Sequence, residues 1–370
     1  MAALGKSAGV PSDPGPDAPE FPVAVTIGAP RLRSLSRGPL IVAPMAGGPS
    51  TVDLVVASAE AGALAFLAGG YKTAPALAEE MAAVRAAGVD AFGVNLFVPG
   101  TPTHDPQGLD AYVAQLEPDA TALGAALGEA RWDDDAYPAK LDTVLAAPPA
   151  VVSFTFGIPA VDVVRALRAA GSIVLLTVTT PEEAVLALHA GPDGLALQGS
   201  EAGGHRGSLV NADRADEDRP VRALLAAVRR RTLVPLVAAG GVAGPDDVAD
   251  LLARGADLVA AGTAFLRCPE SGAPAAQKEA IGAWSHTPTV MTRAFSGRRA
   301  RALVNAMVED HPAAPAAYPE INNATRPLRA ASARAGDTGH MSLYAGTGFM
   351  TAKEQPAAEV VEWLLSGWNG

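Results

Sequence analysis

Hydrophobic residues in this chain fall into short continuous runs, separated by longer stretches of mixed polarity. Eight runs stand out, at 40–43, 63–67, 91–95, 151–155, 173–178, 195–198, 236–239 and 258–261, each four to six residues long. Most lack the alternation of a strand wetted on one face. A run apolar at successive positions suits a parallel strand covered on both faces. Most runs end at Gly, Pro, Asn or Gln. Segments with helical spacing separate most of them, at 51–60, 76–87, 160–170, 181–190, 220–230 and 245–253. Strand and helix alternating in this way predict an α/β protein, a (β/α)8 barrel. A doubly wound open sheet alternates too. The Gly-x-Gly-x-x-Gly turn that usually follows its first strand does not occur here.

Length modifies this picture. A barrel needs about 250 residues, and the chain has 370. The surplus divides three ways. Residues 1–22 are rich in Pro, Gly and Ala, without the apolar region of a signal peptide, and read as a flexible tail. Residues 23–266 read as the barrel, opening on a strand candidate at 23–27 and holding an insertion at 100–149 with helices near 109–129 and 139–146. Residues 267–370 read as a C-terminal helical extension covering the mouth, with helices at 275–284, 292–301, 303–309 and 357–365.

Composition narrows the function classes. Hydrophobic residues make up 49% and charged residues 18%, enough for a large core. The net charge of −11 argues against a nucleic-acid surface. No stretch of about 18 residues is free of Gly, Pro and charge, so no membrane-spanning helix is expected. The single cysteine, Cys268, excludes an internal disulfide and a cysteine-rich metal site. It fits a cytoplasmic location without establishing one, and reads as a packing residue.

In a parallel barrel, ligands bind where strands end. The sixth run ends at Gln198 and leads into Gly199-Ser-Glu-Ala-Gly-Gly-His-Arg-Gly207. Glycine lets backbone approach a flat or phosphorylated ligand, Gln198 offers a donor and an acceptor, and His205 titrates near neutrality. The plain alternative is a surface turn with a solvated histidine. Asn95 ends the third run, and both amides need hydrogen-bond partners, either a ligand or the backbone. After the last two runs come Gly240-Gly241 and Ala260-Ala261-Gly262-Thr263, where barrels often hold a phosphate. A planar ring would then reach toward Gly203, Gly204 and His205. One phosphate and one ring describe FMN better than NAD.

Other patterns carry less. The Gly-x-Ser-x-Gly string at 5–9 lies in the tail, without the strand and helix of a nucleophile elbow. No metal site is expected. Asp133, Asp134 and Asp135 read as a solvated turn in preference to a metal site. His104, His189, His286, His311 and His340 have no neighbours that suggest a shared site. Ser342 to Gly348 forms a second glycine-rich candidate.

With these residues in place, the chain resembles bacterial nitronate monooxygenases of class I, formerly grouped as 2-nitropropane dioxygenases. The motifs are Pro39-Leu-Ile-Val-Ala-Pro-Met-Ala-Gly-Gly48, Phe66-Leu-Ala-Gly-Gly-Tyr-Lys-Thr73, Gly93-Val-Asn-Leu-Phe97, Phe154-Thr-Phe-Gly-Ile-Pro159, Gln198 to Gly207, Ala238-Ala-Gly-Gly241 and Gly262-Thr-Ala-Phe-Leu266. The resemblance implies an FMN-bearing barrel that oxidises alkyl nitronates, propionate 3-nitronate among them, with O2 to a carbonyl compound and nitrite. It places FMN contacts on Pro44, Met45, Ala46, Asn95, Gln198, Gly203, Gly241 and 260–263, and an active-site role on His205. That histidine removes the α-proton of a neutral nitroalkane in some members and positions a pre-formed nitronate in others. Leu343-Tyr-Ala-Gly-Thr-Gly348 stands where many relatives carry Trp-Ala-Gly-Gln-Gly, which directs attention to Tyr344, Gly346 and Thr347 as substrate contacts. The expected partners are a small nitronate and O2, with no nucleic acid and no membrane, in a monomer or homodimer. The competing readings are an FMN-dependent enoyl-thioester reductase using NAD(P)H, and a flavin-binding protein without turnover.

Overall fold

The computed structural model describes residues 28–212, 218–283 and 288–368. The expected tail at 1–22, the strand candidate at 23–27, the string at 5–9, Trp284 and His286 lie outside the described residues. The first six strands are β1 (Leu40–Val42), β2 (Leu64–Ala68), β3 (Gly93–Phe97), β4 (Val151–Thr155), β5 (Ile173–Val178) and β6 (Gly194–Gln198). A two-residue strand, β7 (Gly204–His205), stands apart, and β8 (Leu236–Ala239) and β9 (Leu258–Ala261) complete the set. All but β7 form a closed parallel barrel in chain order, with β9 returning to β1 through Leu40↔Val259.

Closure explains the continuous apolar runs. Ile41, Leu64, Phe66, Leu175, Val237 and Leu258 pack inside the barrel. Their alternating neighbours, such as Leu40, Val42, Ala65, Leu67, Leu176 and Leu236, pack outward against the helices. Alternation is present, but both faces of every strand meet a core. Some helices start at a polar cap. Thr51 Oγ1 accepts the Leu54 N–H ahead of the helix Val52–Glu60, and Thr73 Oγ1 that of Ala76 ahead of the helix Ala74–Ala86. Here α1 is Gly28–Arg33, α2 Val52–Glu60 and α3 Ala74–Ala86.

The insertion supplies α4 (Pro106–Ala122) and α5 (Tyr137–Ala146). The helix expected near 109–129 stops at Ala122, because the chain turns at Gly124 with φ +60°. The barrel continues with α6 (Val161–Ala169), α7 (Pro181–Leu188), α8 (Val221–Arg229) and α9 (Pro245–Ala253).

The extension departs most from expectation. Helices α10 (Ala275–Ala283), α11 (Ala306–Asp310), α12 (Glu320–Ala335) and α13 (Ala357–Leu365) are present. The helix expected at 292–301 is replaced by an antiparallel pair, β10 (Thr289–Thr292) and β11 (Ala300–Leu303). Its turn passes through Gly297 at φ +75°, where a Cβ would lie 2.2 Å from Ala317 O, so a helix cannot run through it. The helix expected at 303–309 is α11, which begins later because Asn305 Oδ1 caps it through the Val308 N–H. Helix α12 was not foreseen. It carries an internal Pro327 and few large apolar residues, but Ile321, Ala324, Leu328 and Ala331 bury one face.

One hydrophobic cluster joins insertion and extension, with Leu109, Tyr112 and Leu116 against Phe295, Met307, Ile321 and Leu328. Two readings change at this junction. His311 Nε2 lies 2.7 Å from Asp119 Oδ2, and His340 Nε2 lies 3.7 Å from Asp119 Oδ1, so these histidines do share a neighbour. Asp135 is not a solvated turn residue. Its carboxylate meets Lys140 Nζ at 2.7 Å, and Lys140 is 1% exposed. Asp133 and Asp134 do form a turn, accepting the N–H groups of Asp135 and Ala136. Cys268 is buried, and burial pushes its thiol up to about 12, as suits a packing residue. Among the described residues no helix is long and apolar enough to cross a membrane, and no group of three or more His, Cys, Asp or Glu could hold a metal.

Candidate active site

A cavity of about 590 Å³ opens at the carboxyl ends of the strands. Pro44, Met45 and Ala46 follow β1, Asn95 sits in β3, and Gln198, Gly203, Gly204 and His205 come from β6 and its loop. Gly240, Gly241, Ala260, Ala261, Gly262 and Thr263 line it from β8, β9 and their loops. Tyr344 and Gly346 line it from the extension. Thr347 does not. It is exposed, and its N–H donates to Glu201 O at 3.0 Å.

The loop after β6 is rigidly braced. Gln198 Oε1 accepts from the Gly207 N–H at 2.8 Å and from Arg206 Nη1 at 3.1 Å, while Gln198 Nε2 donates to His205 O at 2.9 Å. Buried Arg206 also donates to Gln198 O and Gly199 O and pairs with Asp218. The Gln198 amide therefore holds its own loop. Asn95 Nδ2 bonds Ser153 Oγ at 2.9 Å and Thr155 Oγ1 at 3.0 Å, tying β3 to β4. Glu201 accepts the Val221 N–H at 2.9 Å and so caps α8, which has no cap from its own Pro220.

The loop glycines have specific causes. At Gly203 a Cβ would lie 2.4 Å from Gly346 N and 2.5 Å from Ala345 C, so glycine is needed for the extension to dock. Gly240 and Gly241 adopt φ +115° and +69°. Among the described residues, the N–H groups of Gly240, Gly241, Gly262 and Thr263 donate to no acceptor of the chain. Thr263 Oγ1 accepts from the Gly346 N–H at 2.9 Å, which leaves its own hydrogen free to donate. Four unpaired amides and a hydroxyl in the lining of one cavity are the kind of donor set that suits an anion.

His205 is not on a free loop. It lies in β7, which pairs with β11 through His205↔Ala300 and Gly204↔Arg301. Its Nε2 is 2.8 Å from Ser296 Oγ and 3.5 Å from Tyr344 Oη. The rings of Tyr344, Tyr318 and Phe156 surround it at 5.1, 5.7 and 6.0 Å. Arg298 lies over the Phe156 ring at 3.9 Å. Arg329 is fixed by Asn322, Thr325 and Ser342. Burial, then the charges of Arg298 and Arg329, hold the His205 pKa down to about 3. Burial raises the hydroxyl pKa values of Tyr71, Tyr318 and Tyr344, so these remain protonated donors.

Sequence reasoning missed several residues here. Ser296 and Arg298 lay in an expected helix, although the glycine between them was a turn signal. Phe156 and Tyr71 were legible as strand-end residues but not as walls. Tyr318 and Arg329 fell in a stretch where no pattern was read.

Comparison with known proteins agrees with this geometry. The family model for nitronate monooxygenase matches residues 30–367. Over 341 residues the chain is 38% identical to a nitronate monooxygenase of Pseudomonas aeruginosa, covering 90% of this chain and 96% of that one. A solved structure of nitroalkane oxidase from Streptomyces ansochromogenes matches at TM-score 0.88 and 44% identity, covering 91% of this chain and 97% of that chain. FabK from Thermotoga maritima matches at TM-score 0.68 and 23% identity, covering 91% and 95%, a likeness of fold alone. The barrel, its cavity and this match over nearly the whole chain lead to one conclusion: the chain belongs to the nitronate monooxygenase family.

Proposed function

We propose that this protein is an FMN-dependent monooxygenase that oxidises alkyl nitronates, propionate 3-nitronate among them, with O2 to a carbonyl compound and nitrite. The observation that carries this reading is the cavity itself, in whose lining the unpaired amides of Gly240, Gly241, Gly262 and Thr263 join the imidazole of His205, with Arg298 and Arg329 near it. An imidazole with a pKa of about 3 is neutral throughout the physiological range. It can form a hydrogen bond but holds an added proton weakly. General bases work best with a pKa near the working pH. The role proposed for His205 is therefore to bind and orient, in preference to removing a carbon-bound proton. A pre-formed nitronate has already lost that proton. The two guanidinium groups favour its negative charge, and His205 and the Tyr344 hydroxyl would meet its oxygens.

The cavity fits the cofactor. The unpaired amides of Gly240, Gly241, Gly262 and Thr263 would hold a single phosphate. Pro44, Met45, Ala46, Asn95, Gly203, Gly204, Ala260 and Ala261 would line the ring, with Gln198 keeping the loop in place. Bound there, FMN would supply electron-accepting chemistry and reactivity toward O2. His205 and Tyr344 would bind and orient the anion, and the rings of Phe156 and Tyr344 would crowd water out.

The test is spectroscopic. The purified protein should release FMN on denaturation, and an alkyl nitronate should bleach the flavin band without oxygen. Rapid bleaching by NADH or NADPH with none by nitronate would favour the enoyl-thioester reductase instead.

A further inference from the structure

A second cavity, of about 320 Å³, adjoins the first on the side of the insertion. Tyr71, Phe97 and Phe156 line both cavities, as do the polar Lys72, Asn322 and Arg326, while Tyr318 lines the second. With Tyr318 the three aromatic residues form a closed circuit of four rings. Tyr71 meets Phe97 edge-on at 5.6 Å, Phe97 meets Phe156 at 4.5 Å, and Phe156 meets Tyr318 at 5.4 Å. The Tyr318 hydroxyl donates to the Tyr71 hydroxyl at 3.1 Å and closes the circuit. His205 packs on Phe156 and Tyr318 from within the first cavity.

Two of the four rings stand on unusual backbone. Tyr71 has φ +67° and Phe156 has φ +76°, a region bulky residues occupy only when their surroundings hold them there. Arg298 covers the Phe156 ring. Tyr71 is held from the insertion, where its N–H donates to Asp135 Oδ1 at 2.9 Å and Asp135 Oδ2 meets buried Lys140 Nζ at 2.7 Å.

We propose that this circuit is the wall that limits the chain length of the nitronate, and that Asp135 is a positioning residue that keeps Tyr71 in it. Substrates whose alkyl chain ends before the wall bind in the first cavity. Longer chains need the space beyond, which the rings close off. The insertion thus sets substrate range from outside the barrel. The substrate class in this statement rests on the function proposed above.

The test uses straight-chain carboxylates of increasing length, planar anions with two oxygens like a nitronate, titrated calorimetrically into the flavin-loaded protein. Turnover of straight-chain nitronates is measured beside them. The wild-type protein should show a length limit in both series. Tyr318→Ala opens the wall directly and should move the limit to longer chains, with affinity rising about fourfold per additional methylene buried. Asp135→Ala with Lys140→Met removes the Tyr71 acceptor without leaving a lone buried charge, and should move the limit in the same direction. Asp135→Asn with Lys140→Met keeps an oxygen for the Tyr71 N–H and should keep the wild-type limit. An unchanged limit in Tyr318→Ala would overturn the wall. A limit that moves in Tyr318→Ala but not in the Asp135→Ala pair would overturn the role of Asp135. Carboxylates that obey the limit while no nitronate is turned over would sustain the wall and sink the nitronate reading.

Discussion

Ser296 Oγ lies 2.8 Å from His205 Nε2, although 91 positions separate the two residues. The same hydroxyl is 3.3 Å from Arg298 O and accepts the Arg298 N–H. Ser296 can therefore donate to His205, which requires an unprotonated Nε2, or accept from it while donating to the carbonyl, which a neutral imidazole also satisfies. Replacing Ser296 by Ala should leave the fold intact and lower kcat/KM for a nitronate by about three- to tenfold, the worth of one hydrogen bond. Steady-state kinetics alongside flavin content will measure this. Unchanged kinetics would mean that Ser296 only fills space.

The neutrality of His205 has a pH signature. Its folded pKa, about 3, lies below the ordinary 6.5. The unfolded chain takes up this proton as pH falls through 6.5, and the folded chain only near 3. The stability linked to this group is thus complete above 6.5 and declines as pH falls from there toward 3. A His205→Asn variant should lose part of that acid sensitivity in urea titrations run across the range. Its kcat/KM profile with nitronate should keep the wild-type shape near neutrality. An inflection near the ordinary histidine pKa, present in the wild type and absent from the variant, would show that His205 titrates.

Gly241 joins a left-handed backbone to a crowded neighbour. At φ +69°, a Cβ there would lie 3.2 Å from Glu201 Cβ. Gly241→Val should lower stability by more than about 1 kcal/mol, as side chains do at positive φ, and should reduce flavin occupancy by disturbing the cradle. Absorbance of the purified variant and its release of FMN are the readout. Full occupancy would place the phosphate elsewhere.

Glu201 tests the bracing of the loop. Because it caps α8 through Val221, Glu201→Ala should cost about 1 kcal/mol in thermal unfolding, the usual worth of a helix cap. Glu201→Gln keeps an acceptor and should recover most of the loss. Equal losses in both variants would mean that the carboxylate charge, and not the hydrogen bond, matters at this helix end.

Much of the barrel was legible in the sequence because its strands are short, buried on both faces and followed by helices. Strands β4, β5, β8 and β9 fall at the expected bounds. The mouth residues were legible because glycine and amide side chains stand out against apolar runs. The extension was harder to read for a physical reason. Ala300–Leu303 pairs on one side with β10 and on the other with β7, about a hundred residues earlier, and local propensity carries no trace of that distant partner. The same pairing fixes His205, which sequence reasoning could place at the mouth but not on a sheet. Gln198, a polar side chain at a strand end, lines the cavity as expected there, and its hydrogen bonds also brace the loop, a role with no local signal in the sequence.

The most direct measurement compares His205→Asn with the wild type on two substrates, a pre-formed nitronate and its neutral nitroalkane, with flavin content determined for each sample. On the proposed function, in which a neutral His205 binds and orients the anion, activity on both substrates should fall together. If nitroalkane turnover alone falls, by the roughly 10²–10⁴-fold typical of a lost general base, while nitronate turnover persists, then His205 removes the carbon-bound proton and the role assigned to it here is contradicted.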